Sequence, residues 1–139
     1  MVHGEKRKIG SVLIQRLVAG EITNEDFQDQ FPRDAADPAL GAIYERLWVC
    51  YGDLTTHRLT GRHAVSDEAR ELFLRCRAFL DSDLEYEWPP VKRAPLVLIV
   101  LRIFGLRKAV ARREQHEMDR LRSFGDFDVW PFRRTFRRD

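Results

Sequence analysis

Apolar residues recur at helical spacing through most of this chain of 139 residues. Ile9, Val12, Leu13, Leu17 and Val18 place a first helix at about residues 5–19. Gly20 suits the left-handed position that follows a helix end. Thr23 then precedes Asn24, Glu25 and Asp26, a capping sequence for a short second helix edged by Phe27 and Phe31. Pro32 ends it. Asp37-Pro38 is the next start signal, an N-cap acceptor followed by proline at the first helical position. Leu40, Ile43, Tyr44, Leu47, Trp48, Tyr51 and Leu54 form one stripe, which predicts a long helix ending near residues 58–61. Ser66-Asp67-Glu68 opens another, buried along Leu72, Phe73, Cys76, Phe79 and Leu80 and closing around residues 81–83.

The pattern changes at residues 84–90, where Pro89-Pro90 forces an extended path. The apolar run from Leu96 to Leu101 fits a buried strand or a helix by periodicity alone. Its continuation through Ile103, Phe104 and Leu106 into residues 109–122 predicts a helix, with Gly105 as a point where it splits. The last segment carries five aromatics and four arginines between residues 123 and 139. Disordered tails avoid aromatics, so Phe127, Trp130 and Phe132 are expected to dock on the helices. One short motif recurs: Glu85-Tyr-Glu-Trp-Pro89 and Asp126-Phe-Asp-Val-Trp-Pro131. The two copies would lie side by side or cap two ends of the bundle, or match by coincidence. The fold expected is a single all-α domain over residues 1–139, a compact bundle of five or six helices with short extended Trp-Pro segments.

Composition narrows the function classes. Nine Phe, three Trp and three Tyr supply a core, so disorder throughout is excluded. Two cysteines, Cys50 and Cys76, make no disulfide scaffold, and both fall on apolar helix faces. The polar start has no apolar region behind it, so the expected location is cytoplasmic. The longest apolar run is too short to span a membrane, which needs about 20 residues, and an interfacial role for residues 96–106 is a minor reading. Net charge is only +2, yet it is split. Residues 1–90 hold 11 basic and 16 acidic side chains, and residues 91–139 hold 13 and 6. Such halves pair within the fold or form a polar surface.

Three groups of residues bear on chemistry. On an extended strand Asp81, Asp83, Glu85 and Glu87 share one side, with Tyr86 and Trp88 anchoring the other. Such a row would present acids to a basic protein; its bland alternative is a solvated loop. Arg107, Lys108, Arg112 and Arg113 lead a basic stretch that includes Arg120 and Arg122, with Arg133 and Arg134 further on. Clustered arginines with aromatics nearby suit nucleic acid, but Glu114, Glu117 and Asp119 interrupt the field. Asp53 and His57, four apart on the predicted helix, would face His63 across Gly61 and resemble a weak divalent-metal site. The alternative there is an ordinary helix end, in which Asp53 orients His57. No phosphate loop, nucleophile elbow or Cys-x-x-Cys occurs.

At Asp53-x-x-x-His57-x-Leu-Thr-Gly-x-His63 and Asp83-Leu-Glu-Tyr-Glu-Trp-Pro89 the sequence resembles a group of small uncharacterised bacterial proteins, over roughly residues 10–90. The resemblance implies a small helical cytoplasmic protein and carries over no catalytic residue. By analogy, small proteins of this kind often bind or inhibit another protein. The expected function is therefore non-enzymatic protein binding without a cofactor. Its most concrete form is an immunity or antitoxin-like inhibitor that turns the acidic row toward a basic toxin or nuclease. A nucleic-acid-binding regulator is the alternative, and a metal-dependent enzyme at Asp53, His57 and His63 is third. A homodimer through the Leu96 run is a further expectation.

Overall fold

The computed structural model describes residues 1–51, 54–90 and 107–133. Among them are five α-helices and no strand, an all-α fold. The helices are α1 (Gly4–Val18), α2 (Asn24–Gln30), α3 (Pro38–Trp48), α4 (Asp67–Leu80) and α5 (Arg107–Phe124). Single 3-10 turns stand at Gly61–His63 and Phe127–Val129. The apolar run at Leu96 and its continuation to residue 106 lie outside the described residues.

Local chemistry sets most helix ends. His3 Nδ1 accepts the Lys6 amide at the start of α1. At its end, Gly20 adopts φ +73°. The Glu21 amide reaches Arg16 O at 2.9 Å and the Gly20 amide reaches Leu17 O at 3.1 Å, a double closure of the last turn. Thr23 and Asp26 form the reciprocal capping box of α2. Ser66 Oγ caps α4 through the Ala69 amide at 3.2 Å.

Two faces differ from the predicted stripes. On α1, Ile9 and Val12 are nearly half exposed, and the buried face is Arg7, Gly10, Ser11, Leu13, Ile14 and Leu17. Gly10 turns the helix this way. A Cβ there would meet Leu80 and Phe31 at 3.1 Å, so the missing side chain lets both lie against the backbone. The helix predicted to reach residues 58–61 stops at Trp48. Val49, Tyr51, Gly52, Thr55 and Thr56 are poor helix formers by sequence, and residues 55–57 bond to Asn24 and Glu25 instead. Trp48 is therefore 42% exposed and Leu54 97% exposed, whereas Tyr51 still reaches the core. Phe27 meets Phe31, Tyr44 and Tyr51 there, with ring centroids 5.1, 6.5 and 6.2 Å away.

Asp37 has a different role from the predicted cap. It makes no side-chain capping bond to α3. Its carboxylate faces Arg7, with Nε at 2.7 Å and Nη2 at 3.0 Å. Arg7 Nη1 also donates to Ser82 O at 3.1 Å and Leu84 O at 2.7 Å, and its guanidinium lies 5.2 Å from the Phe79 ring centre. Both charged groups are buried. Burial pushes the Asp37 carboxyl up, but the Arg7 hydrogen bonds and charge, with the His3 amide, hold it below the usual aspartate range.

Arg7→Met leaves Asp37 buried without its counter-charge and is expected to cost about 3–5 kcal/mol in chemical denaturation. Because the folded Asp37 pKa is depressed, its stabilisation is full above the unfolded value, about 3.9, and is lost as pH falls through the lower folded value. Acid titration of the wild type should show that loss, and Asp37→Asn should show a shallower one.

Candidate functional site

After α4 the chain runs without regular structure from Asp83 to Pro90. Two carbonyls near its start, Ser82 and Leu84, are held by Arg7. Asp83 and Leu84 are both exposed. Further on, side chains alternate: Glu85 and Glu87 are exposed, Tyr86 is half-buried and Trp88 is buried. This is the alternation expected from an extended segment packed on one side. Asp81 stands apart from the row. It is the C-cap of α4, its carboxylate accepts from Ser11 Oγ at 2.5 Å, and Arg77 Nε lies 3.9 Å away.

The two Trp-Pro segments lie side by side. Trp130 Nε1 donates to Tyr86 Oη at 3.2 Å, and the rings meet edge to face at 6.3 Å. Trp88 Nε1 donates to Phe132 O at 3.3 Å, while its ring stacks on Phe127 at 5.5 Å. Arg75 Nε binds Trp130 O at 2.6 Å, and Phe132 packs on Phe79 at 5.2 Å. Trp130 and Phe132 thus dock on the helices as expected, whereas Phe127 stacks on Trp88 of the extended segment. Burial pushes the Tyr86 phenol up to about 12, so it stays protonated.

Two cations meet the acidic row. The Met1 ammonium lies 3.2 Å from Glu85, and Arg133 Nη1 lies 3.7 Å from Glu87. Arg133 is itself positioned by the Phe124 carbonyl at 3.2 Å and by the Phe124 ring, 4.1 Å from its guanidinium carbon.

His57 and His63 come together by another route than one helix. Asp53 lies outside the described residues, and His57 is in the loop beyond α3. Buried Asn24 shapes that loop. Its amide donates to His57 O, its Oδ1 accepts the His57 amide, both at 2.9 Å, and its Nδ2 binds Thr55 O at 3.1 Å. Thr56 Oγ1 donates to Glu25 at 2.7 Å. The two imidazoles then stack, with centroids 4.0 Å apart and planes 17° apart. His57 Nδ1 lies 2.7 Å from Thr55 O, and Arg62 Nε donates to His63 Nε2 at 3.3 Å. Burial lowers the His63 pKa, and the charges of His57 and Arg62 lower it further. No three His, Cys, Asp or Glu side chains gather as a metal site among the described residues. Sequence reasoning missed Asn24, whose position after Thr23 marks only a helix start.

The basic stretch is helical, with Arg107, Lys108, Arg112 and Arg113 in the first half of α5. In its second half Arg120 pairs with Glu117, and Arg122 lies 4.0 Å from Asp119. Those two arginines meet acids of their own helix, as the ion-pair reading of the stretch requires. Cys76 is fully buried and its thiol is pushed far up, which suits packing rather than nucleophilic chemistry. Cys50 Sγ lies 3.6 Å from Arg46 O. No helix among the described residues is long and apolar enough to cross a membrane.

Because the folded His63 pKa is depressed, the loop favours neutral imidazole. Stability should therefore fall as pH drops below the ordinary histidine value, about 6.5. Urea denaturation of wild type and His63→Asn across that range checks this, and the variant should show a shallower decline. Among known proteins, no family model, no curated protein and no solved structure matches this chain.

Proposed function

We propose that the chain is a non-enzymatic protein-binding module whose contact edge is the acidic segment Asp83, Glu85 and Glu87. The observation that carries this reading is the contact between Glu87 and Arg133. The edge already receives a guanidinium, and Glu85 receives an ammonium. An exposed ion pair of this kind is worth about 0–1 kcal/mol, so a partner's arginine displaces Arg133 at little cost. Behind the acids, Tyr86 and Trp88 are fixed by aromatic contacts and Arg7 holds the Ser82 and Leu84 carbonyls. A pre-ordered edge loses little entropy on binding. Its charge speeds encounter with a basic surface and selects against acidic ones.

The partner class is a basic protein surface, such as the substrate cleft of a nuclease or another basic toxin, which this chain would block as an immunity or antitoxin-like inhibitor. The test is capture of a partner at moderate salt by the full chain and by a variant carrying Asp83→Lys, Glu85→Lys and Glu87→Lys. The reversal should slow association about tenfold or more while the thermal midpoint stays close to wild type. Unchanged binding by the folded variant removes the edge as the contact surface. Capture of nucleic acid in place of protein shifts the reading to the basic half of α5.

A further inference from the structure

The longest part of the sequence without an acidic residue runs from Trp88 to Arg113, between Glu87 and Glu114. It carries seven lysines and arginines. Four of them, Arg107, Lys108, Arg112 and Arg113, fall in the first half of α5. Positions 108 and 112 are four apart and so share one side of the helix. The second half of α5 is balanced within itself, since Arg120 meets Glu117 and Arg122 lies 4.0 Å from Asp119. The helix is thus charged at one end and close to neutral at the other.

α5 joins the rest of the protein at its C-terminal end. Leu121 is buried, Arg120 Nη2 donates to Pro90 O at 3.2 Å, and the Phe124 ring lies 5.7 Å from that of Trp88. Arg112, Gln115, His116, Met118 and Asp119 are exposed. Among the described residues α5 has no packing against another helix of the extent that α1 and α4 share. At 1.5 Å per residue, Arg113 stands about 17 Å of helix before Phe124, and Arg107 about 25 Å. The acidic edge meets the helix at the Phe124 end, through Trp88 and Arg133. The Debye length at physiological ionic strength is about 8 Å, so the acids of the edge are screened from the basic turns.

Positive charge alone fits any polyanion, and the sequence just ahead of α5 decides between them. From Leu96 to Leu106 every residue is apolar except Arg102 and Gly105. Binding to nucleic acid uses aromatic rings that stack on bases, and this run offers only Phe104. A lipid interface takes up aliphatic side chains next to basic ones, and lasting attachment needs both signals together. The run is shorter than the 20 or so apolar residues of a membrane span, which leaves attachment at the surface.

We infer that the first half of α5 is a docking surface for an anionic membrane, with Arg107, Lys108, Arg112 and Arg113 meeting lipid headgroups. Arginine suits these groups because its planar donors match phosphate and carboxylate oxygens. The acidic edge, at the opposite end of α5, stays in water. The surface therefore does not depend on whether that edge binds a protein.

The test is co-sedimentation of the full chain with vesicles of phosphatidylcholine alone and of phosphatidylcholine with about one-third phosphatidylserine. Binding is expected to the anionic vesicles and should weaken as salt rises. The double variant Arg112→Gln, Arg113→Gln keeps good helix formers at both positions and removes two charges. It should bind anionic vesicles on the order of twentyfold more weakly, about fivefold per charge, with an unchanged thermal midpoint. The double variant Glu85→Lys, Glu87→Lys should bind at least as well as wild type, which separates this surface from the acidic edge. Equal binding to neutral and anionic vesicles, no binding to either, or wild-type binding by the folded Arg112→Gln, Arg113→Gln variant overturns the surface. Release of vesicle-bound protein by short double-stranded DNA at equal phosphate concentration overturns it too and assigns the basic turns to nucleic acid.

Discussion

One buried guanidinium ties together parts of the chain that share no sequence neighbourhood. Arg7 projects from α1 and meets the carboxylate before α3 and the carbonyls that follow α4. Removing an arginine and an aspartate from water costs several kcal/mol each, which only a fully bonded geometry offsets. Here Nε, Nη1 and Nη2 all find acceptors, so the charge is tolerated in one arrangement of the segments. Slipping α1 along α4 by one residue would break these bonds together. The pair thus specifies which packing forms more than it adds to stability, and it places the start of the acidic segment.

From that anchor the acidic edge is fixed by a second, apolar contact. Tyr86 and Trp88 meet Trp130, Phe127 and Phe132, so the segment is held on its inner side by aromatic rings and donated N–H bonds. Glu85 and Glu87 occupy the remaining side because alternation along an extended chain leaves them no other. Docking of the C-terminal segment and exposure of the acids are thus one event. Arg133 arrives with that segment and meets Glu87, which links the basic part of the chain to the acidic part.

At the other end of α1, buried Asn24 holds a loop that contains few apolar residues of its own. Amide-to-carbonyl bonds replace the helical ladder that residues 55–57 would otherwise have used. The loop presents two imidazoles and an arginine on one turn, an arrangement that hydrophobic packing alone would not select.

The all-α class was legible because each helix carries its own signals. Thr23 with Asp26, Pro38, Ser66 and the glycine after α1 act through bonds within a few residues, and such bonds form in nearly any tertiary setting. The apolar face of α4 was legible for a related reason, since all its core positions are hydrophobic side chains. The face of α1 was hidden, because burial of Gly10, Ser11 and Arg7 depends on what approaches them, and a hydropathy pattern counts none of them as core. The early end of α3 was hidden as well: an apolar spacing persists past Trp48, where the helix ends, and the Thr55 and His57 backbone further on bonds to Asn24 instead. Alternation marked Glu85 and Glu87 in advance, but Asp81 belongs to a helix cap and turns back to Ser11. The meeting of the two Trp-Pro segments, the Arg7–Asp37 pair and the His57–His63 stack join residues far apart in the chain or on different turns. Only the tertiary structure could decide them, because each depends on geometry that no local propensity encodes.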